Sequence, residues 1–151
     1  MTTEIRPYQK QDLPDLLNSW ESASRLAHPF MTEKFFQQER KNIPELYIPN
    51  TDTWVVLVDE VVVGFIALIV ADENSQLSCE IGGLFVEPSF HRQKFGKTLL
   101  DKAKQLYGEL AVKVFKENHI GSAFYHKYDF EFVSELIWDD TGDVLIEMKL
   151  V

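Results

Sequence analysis

The segment TWVVLVDEVVVGFIALIV, from Thr53 to Val70, constrains the fold more than any other part of the sequence. Two runs rich in β-branched residues, Val55 to Val58 and Val62 to Val70, flank the polar pair Asp59-Glu60. Such side chains favour strands, and a short polar interruption between two strand-like runs is typical of a β-hairpin. The fold must therefore contain at least one antiparallel pair of strands.

The rest of the sequence predicts helices and strands on both sides of this hairpin. Glu4 to Tyr8 reads as a short edge strand, and Asp12 and Thr32 are predicted N-caps of two helices, with the loop AHPFM between them. After the hairpin the sequence predicts a strand at 77–87, with Gly82-Gly83 at a bulge. A helix follows at 96–108, with an apolar face formed by Leu99, Leu100, Ala103 and Leu106. The remaining predicted elements are a strand at 109–115, a helix capped by Asn118, and a final antiparallel pair of strands. The order β-α-α-β-β-β-α-β-α-β-β predicts a mixed α/β sheet with helices on its faces, and the 151 residues suit one domain, 1–151.

Composition narrows the classes of function. The net charge of −9 disfavours non-specific nucleic-acid binding, which needs a basic surface, and it suits either a cationic partner or simple solubility. No apolar run is long enough to span a bilayer, and the first residues show no signal-peptide core. Cys79 is the only cysteine, which fits a reducing cytoplasm, and the four histidines show no metal-ligand spacing.

The stretch LFVEPSFHRQKFGKTLL, from Leu84 to Leu100, places a polar loop between a predicted strand and a predicted helix. The first turn of a helix carries unpaired N–H groups and the positive end of the helix dipole. Gly96 would let an anion approach the backbone, and Arg92, Lys94 and Lys97 add positive charge. The loop therefore indicates a phosphate or pyrophosphate site, with a solvated basic loop as the alternative.

Two phosphate-binding motifs can be compared with this loop. FGKT looks like the end of a nucleotide-binding P-loop, but His91 stands where that motif needs its first glycine. HRQKFGKTLL instead resembles the [QR]-x-x-G-x-[GA] loop of the GNAT superfamily of N-acetyltransferases, which bind acetyl-coenzyme A. His91 stands at its Arg or Gln position, Lys94 at its first Gly, and Gly96 matches. A positive φ at Lys94 would place that side chain under strain.

A second segment strengthens this resemblance. NHIGSAFYHKYDF, from Asn118 to Phe130, is similar to the later GNAT pattern N-x-x-A-x-x-F-Y-x-x-x-G-F, with Gly121 in place of Ala and Asp129 in place of Gly. LAHPFMTEKFF also looks like a loop of one bacterial branch of small GNAT enzymes. The resemblance implies a single-domain GNAT-type fold with a mostly antiparallel sheet and helices on both faces. It also implies a transferase that moves an acetyl group from acetyl-CoA to a primary amine by direct attack.

The resemblance also assigns residues to the co-substrate. The strand residues Leu84, Phe85 and Val86 would hold the pantetheine arm through their backbone, although Leu84 and Val86 also suit core packing. Asn118 would hydrogen-bond the arm or cap its helix. The pyrophosphate would be bound by the loop residues His91, Arg92, Gln93, Lys94, Phe95, Gly96 and Lys97.

Three residues are candidates for the proton transfers. By resemblance Tyr125 is the general acid, because a phenol can protonate a thiolate of similar basicity, and Tyr128 is the second choice. Glu80 could act as the base through water, with a cross-strand ion pair as its alternative role. His28 could also serve, because histidine titrates in the useful range, with capping or packing as its alternative. His119 and His126 are expected at the surface.

A second class of function stays open at this point. A relative that holds an acyl-CoA or another anion without turnover would keep the same fold, and the departures at His91 and Lys94 are compatible with it. Intact Tyr125 and Asn118 favour the enzyme. The acceptor amine, whether a small molecule or a protein amine, cannot be read from the loops, and a homodimer is left open.

Overall fold

The computed structural model describes residues 2–70 and 79–150. Leu77 and Ser78, predicted to begin a strand, lie outside these ranges. None of the helices described has the length and apolar character that crossing a membrane requires. The strands and α-helices are, in chain order, β1 (Thr3–Pro7), α1 (Leu13–Ala27), α2 (Glu33–Asn42), β2 (Asp52–Val58), β3 (Val61–Val70), β4 (Cys79–Val86), α3 (Phe95–Tyr107), β5 (Leu110–Phe115), α4 (His119–Lys127), β6 (Glu131–Ile137) and β7 (Val144–Leu150).

These strands form one sheet in the order β1-β2-β3-β4-β5-β7-β6. Neighbouring strands are antiparallel except β4 and β5, which are parallel. The prediction of a mixed, mostly antiparallel α/β sheet is confirmed, and the order of elements is the one that the sequence pattern gives.

Alternation along β2 shows why helices cover both faces of the sheet. Val55 and Leu57 belong to the core cluster that contains Leu16 of α1, whereas Val56 and Val58 belong to the cluster beneath α3. Side chains of successive strand residues point to opposite faces, so a run of four buried residues, Val55 to Val58, must be covered on both faces. The apolar runs of the hairpin therefore dictate a three-layer arrangement.

Local signals at the turn and at one cap behave as predicted. Asp59 and Glu60 join β2 to β3 with φ of 49° and 70°, the left-handed conformation that a two-residue hairpin turn requires. The Thr32 hydroxyl accepts a hydrogen bond from the Phe35 N–H at 3.2 Å, so it caps α2.

Asp12 has a different role from the predicted helix cap. Its carboxylate accepts hydrogen bonds from the Arg6 guanidinium at 2.7 and 2.9 Å and from the Gln9 N–H at 2.8 Å, and makes none to the first turn of α1. The hydrogen bond from Arg6 holds the pKa of Asp12 below its usual value. A short 3₁₀ turn at Lys10–Asp12 precedes α1, and the N-cap residue of that turn is Gln9.

Leu106 also departs from its prediction, because its side chain is 41% exposed. It lies in the last turn of α3, where the neighbouring Tyr107 packs against the core instead. The Tyr107 hydroxyl donates a hydrogen bond to Asp52 at 2.6 Å, which fixes the end of the helix against β2.

The predicted bulge lies at Gly82. Ala67 of β3 is opposite Gly83, but the next residue, Leu68, is opposite Ile81, so Gly82 is an extra residue in β4. A bulge bends its strand and disturbs the regular pairing around it. The disturbance occurs where β4 would otherwise continue to pair with β5.

Candidate active site

The parallel pair β4–β5 is joined only at its beginning. Its register contains two residue pairs, Glu80 with Ala111 and Ile81 with Val112, although β4 continues to Val86 and β5 to Phe115. A cavity of about 1060 Å³ follows the unpaired parts of both strands. Residues from α1 and α2 line it on one face of the sheet, and residues from α3 and α4 line it on the other. The cavity therefore crosses the sheet through the gap.

The three strand residues predicted to hold the co-substrate line this gap. Val86 lies in the core beneath α3 and Leu84 packs against it, whereas Phe85 packs against the core on the opposite face. Their side chains thus serve the core, and among the described residues the backbone edge that faces β5 has no strand partner. On this edge the N–H and C=O of Leu84 and the N–H of Val86 are free to pair with an extended ligand, whereas the Val86 carbonyl has a partner in the next loop.

The loop after β4 is fixed to the strand by a histidine. The ring of His91 donates a hydrogen bond from Nε2 to the Val86 carbonyl at 2.6 Å. Lys94 then adopts φ 64° and ψ 23°, and α3 begins at Phe95 with no side chain capping its first N–H groups. The positive φ expected at the glycine position of the motif is therefore present, and a lysine side chain occupies it.

The predicted phosphate-binding residues divide into two groups. His91, Lys94, Gly96 and Lys97 line the cavity. The other three do not: Arg92 and Gln93 are exposed, and the Phe95 side chain is buried in the core, so only its backbone could serve a ligand.

Gly96 also permits a close contact between two helices. A Cβ at this position would lie 3.3 Å from Cε1 of Phe124, so the ring of α4 already occupies the space above it. The glycine therefore permits close packing of α3 on α4. The two sequence motifs are in direct contact through this pair.

A chain of polar contacts follows along α3. Lys97 Nζ forms an ion pair with Asp101 at 3.0 Å, and the Tyr128 hydroxyl donates a short hydrogen bond to the same carboxylate. Lys97 has a carboxylate partner, and the hydroxyl of Tyr128 is committed to Asp101.

His28 and Asn118, which lie 90 residues apart in sequence, form one buried group. The Asn118 side-chain oxygen accepts from the Gly121 N–H at 2.9 Å, which leaves its NH₂ to donate to His28 Nε2 at 3.3 Å. Nε2 then acts as an acceptor, so the ring proton is on Nδ1, which contacts the Ser24 hydroxyl at 3.0 Å. Asn118 caps α4 and orients His28 at the same time.

The expectation that His28 titrates in the useful range is wrong. Burial lowers the pKa of His28 to about 4, because the charged ring would lose its hydration. The ring lines the cavity and is neutral at neutral pH. It is a weak base for removing a proton from an ammonium group.

The Gly121 position explains one departure from the family pattern. A Cβ there would lie 2.6 Å from Nδ2 of Asn118, which no pair of real atoms tolerates without a shift. The alanine that is common at this position would push the Asn118 amide away from its place against His28. Glycine thus belongs to the same buried group.

Tyr125 lies in the cavity wall with its ring buried between Phe124 and Phe130, each with a ring centroid 5.2 Å away. Its hydroxyl has no hydrogen-bond partner among the described residues. Burial raises the pKa of Tyr125 above its ordinary value, so the phenol stays protonated at neutral pH. A protonated hydroxyl in the wall of the cavity is in the correct state to donate.

Glu80 forms the cross-strand ion pair that was its alternative role. Its carboxylate lies 3.2 Å from Lys113 Nζ on β5. Lys113 lines the cavity, whereas Glu80 itself is not among the lining residues. His119 and His126 are exposed, as expected, and no group of three or more potential metal ligands occurs in residues 2–70 and 79–150.

Sequence reasoning missed one part of the cavity wall, on the side of α2. Glu39 and Tyr47 line the cavity there, and the Tyr47 hydroxyl donates to Glu39 Oε1 at 3.1 Å. A signal was present in the sequence: Glu39 lies four residues from both Phe35 and Ile43, so a carboxylate stands on the apolar face of the helix.

Comparison with known proteins gives consistent matches. The family model "Acetyltransferase (GNAT) family" matches residues 13–130. The peptidyl-lysine N-acetyltransferase YiaC of Escherichia coli is 26% identical, with 90% of this chain and 88% of that protein covered. The spermidine N(1)-acetyltransferase of Thermoplasma acidophilum is also 26% identical, with 99% and 98% covered. The crystal structure of the PaiA N-acetyltransferase from T. acidophilum in complex with coenzyme A superimposes with a TM-score of 0.76 at 22% identity, over 99% of this chain and 100% of that one.

Proposed function

The chain belongs to the acetyltransferase (GNAT) family and is an acetyl-CoA-dependent N-acetyltransferase, and we propose that it acetylates a primary amine by direct attack, with Tyr125 as the general acid. The observation that carries this proposal is the cavity that crosses the sheet between β4 and β5, with Tyr125 in its wall. The named relatives act on peptidyl-lysine and on spermidine, both of which offer a primary amine.

The proposed co-substrate site has two parts. The unpaired backbone edge of Leu84, Phe85 and Val86 would hold the pantetheine arm as an added strand. The first turn of α3, which no side chain caps, would hold the pyrophosphate together with Lys94 and Lys97. An uncapped helix start beside two lysines fits an anion, so the residues present suit the group.

The proposed roles in proton transfer follow from the same geometry. The thioester of acetyl-CoA supplies the acetyl group. Tyr125 holds its proton at neutral pH and would donate it to the departing sulfur. Glu80 and His28 remain the candidates for the base, and the ion pair of Glu80 and the low pKa of His28 favour neither. We also propose that His28 positions Asn118, because its Nε2 contacts the Asn118 amide.

The setting of the enzyme is also part of the proposal. We propose that residues 1–151 act as one N-acetyltransferase domain, supported by a single sheet that joins strands from Thr3 to Leu150. We propose a cytoplasmic location, because the single cysteine, Cys79, is free and buried and needs no oxidising environment.

A turnover screen tests the proposed function against the non-catalytic alternative. Acetyl-CoA is incubated with a panel of amines, and free coenzyme A thiol and the acetylated amine are both measured. The enzyme should release thiol and product in equal amounts, only when an amine is present. Binding of acetyl-CoA without amine-dependent release would favour the binding module.

Changing Lys94 to Ala should raise the KM for acetyl-CoA severalfold with little change in kcat. The reason is that an exposed charge contact contributes about 1 kcal/mol, equally in the ground state and the transition state. Steady-state kinetics at varied acetyl-CoA measures both constants. Lys102→Ala is the matched control, because Lys102 lies on α3 outside the cavity, over the Trp54 ring. An unchanged KM in Lys94→Ala would remove Lys94 from the phosphate site.

The variant Lys94→Gly separates charge from backbone strain. A non-glycine residue in the left-handed region costs about 1 kcal/mol, so glycine should raise the free energy of unfolding slightly while KM still rises. Urea denaturation of Lys94→Gly beside Lys94→Ala measures the difference.

A further inference from the structure

Lys113 lies where the gap between β4 and β5 begins. The parallel register of the two strands ends with the pair Ile81 and Val112, so Gly82 and Lys113 are the first residues beyond it. Gly82 is also the extra residue of the bulge in β4. Lys113 lines the cavity at this point, which we call the apex of the gap. A primary amine of the chain itself therefore lies at the apex.

The side chain of Lys113 points to the face of the sheet that α1 and α2 cover. Its neighbours Val112 and Val114 belong to the core cluster beneath α3, and successive side chains of a strand point to opposite faces. The ring of Phe115, on the same face as Lys113, packs against His28 at the end of α1. The other lysines that line the cavity belong to the start of α3 and to the two helices α3 and α4, so within the described residues Lys113 is the one lysine on this face of the cavity.

The proposed co-substrate site brings the thioester to the apex. The pyrophosphate site at the start of α3 follows the end of β4, and the pantetheine arm would run from there back along Val86 and Leu84. In this direction Gly82 is four residues beyond Val86, which corresponds to about 13 Å of extended chain. The reactive end of the co-substrate would thus reach the level of Lys113.

A carboxylate lies in contact with the Lys113 ammonium group. Glu80 Oε1 is 3.2 Å from Nζ. An ammonium group must lose a proton before it can attack a carbonyl carbon, and a carboxylate at hydrogen-bond distance is placed to accept that proton. Lys116 forms a comparable ion pair with Glu135 at 3.0 Å, but it does not line this cavity. Of these two lysines, only Lys113 combines a carboxylate partner with a position at the apex.

We propose that Lys113 is an internal acceptor, and that the chain acetylates Nζ of Lys113 from acetyl-CoA bound to the same molecule. This inference rests on the proposed function and adds a modification site to it. Glu80 takes a proton from the ammonium group and releases it to water. The free electron pair of Nζ then forms a bond to the thioester carbonyl carbon, and the C–S bond breaks.

The protons of this step balance. Tyr125 protonates the departing sulfur, and the second proton that the nitrogen loses returns through water to the Tyr125 oxygen. The products are acetylated Lys113, free coenzyme A thiol and the proton released from Glu80. Acetylation removes the positive charge of Lys113, so the modified chain loses the ion pair with Glu80.

Mass spectrometry of the purified chain tests this inference. The chain is incubated without amine in acetyl-CoA that carries heavy carbon in its acetyl group, and acetylation of each lysine is followed in time. Unlabelled acetyl already present on a lysine is counted with the label. Lys113 should be modified on the order of 10-fold or more faster than Lys116, because an oriented thioester in the same molecule has a high effective concentration.

Lys116 is the matched internal control for chemical acetylation in solution. Both lysines have a carboxylate partner, and the Lys116 side chain is 56% exposed against 43% for Lys113. Free acetyl-CoA should therefore modify Lys116 at least as fast as Lys113 if no site directs the reaction. The rate at Lys113 should also be independent of protein concentration, because acceptor and thioester belong to one molecule.

Three variants locate the reaction. Lys113→Arg keeps a positive charge beside Glu80 but removes the acceptor amine, so label in the intact chain should fall to the level of the exposed lysines. Lys116→Arg should leave the label at Lys113 unchanged. Tyr125→Phe should slow modification of Lys113 by about 10²- to 10⁴-fold and leave that of Lys116 unchanged, because only the directed reaction uses the general acid.

The outcomes distinguish this inference from the function on which it rests. Equal modification of Lys113 and Lys116, or a rate at Lys113 proportional to protein concentration, would overturn the inference, and acetylation of added amines would show that the acetyltransferase is intact. Preferential modification of Lys113 without acetylation of any added amine would support the inference and remove the external acceptor from the proposed function. The absence of both reactions would overturn both proposals.

Discussion

Replacing Tyr125 with Phe should lower kcat by about 10²- to 10⁴-fold, the usual contribution of a positioned general acid. The substitution keeps the ring between Phe124 and Phe130 and removes only a hydroxyl that has no partner among the described residues. The KM for acetyl-CoA should change little, because the proton is needed in the transition state and not in the ground state. Steady-state kinetics at saturating substrates gives both values.

Tyr128→Phe is the comparison that makes this result specific. Tyr128 lies three residues further along the chain and also lines the cavity, but its hydroxyl already donates to Asp101. Its removal should leave kcat close to that of the wild type. Thermal melts of both variants verify that each is folded. Wild-type turnover in Tyr125→Phe, or a large loss confined to Tyr128→Phe, would transfer the acid role to the second tyrosine.

Replacing Asn118 with Ala should lower the free energy of unfolding by about 2–4 kcal/mol. The substitution removes two hydrogen bonds. One caps α4 at the Gly121 N–H, and the other is donated to Nε2 of the buried His28. A buried acceptor without a partner retains its full desolvation penalty, which is why the sum exceeds that of an ordinary cap. Urea denaturation at neutral pH measures the change.

Two variants divide this loss into its parts. Thr32→Ala removes a cap alone, that of α2, and should lower the free energy of unfolding by about 1 kcal/mol. Asn118→Ser keeps a capping oxygen but is too short to reach His28, so its stability should lie between wild type and Asn118→Ala. Equal losses in Thr32→Ala and Asn118→Ala would show that the contact with His28 contributes nothing.

Much of the fold could be predicted from sequence because its signals are local. The β-branched runs of the hairpin, the hydroxyl of Thr32 and the paired glycines Gly82-Gly83 each act within a few residues of their own position. Comparison with the glycine of a motif also indicated Lys94 as a position where a positive φ would cause strain, and its φ is 64°. Each of these features depends on backbone geometry that short sequence segments determine.

The site was harder to predict because its contacts are distant in sequence. His28 meets Asn118 across 90 residues, and the pKa of about 4 follows from burial that no local pattern reveals. The close contact of Gly96 with Phe124 joins two helices, and no short segment of sequence reveals it. Asp12 was predicted as a cap, but a competing partner, Arg6, lies on the neighbouring strand. Tertiary neighbours decided all three outcomes.

The central claim is that acetyl-CoA binds along the unpaired edge of β4 and at the start of α3. Backbone amide hydrogen exchange, measured with and without coenzyme A, tests it directly. We expect coenzyme A to slow exchange at Leu84 and Val86, whose N–H groups face away from β3, and at residues 95–97, because these N–H groups acquire partners. Binding that slows exchange elsewhere and leaves both of these segments unchanged would contradict the account.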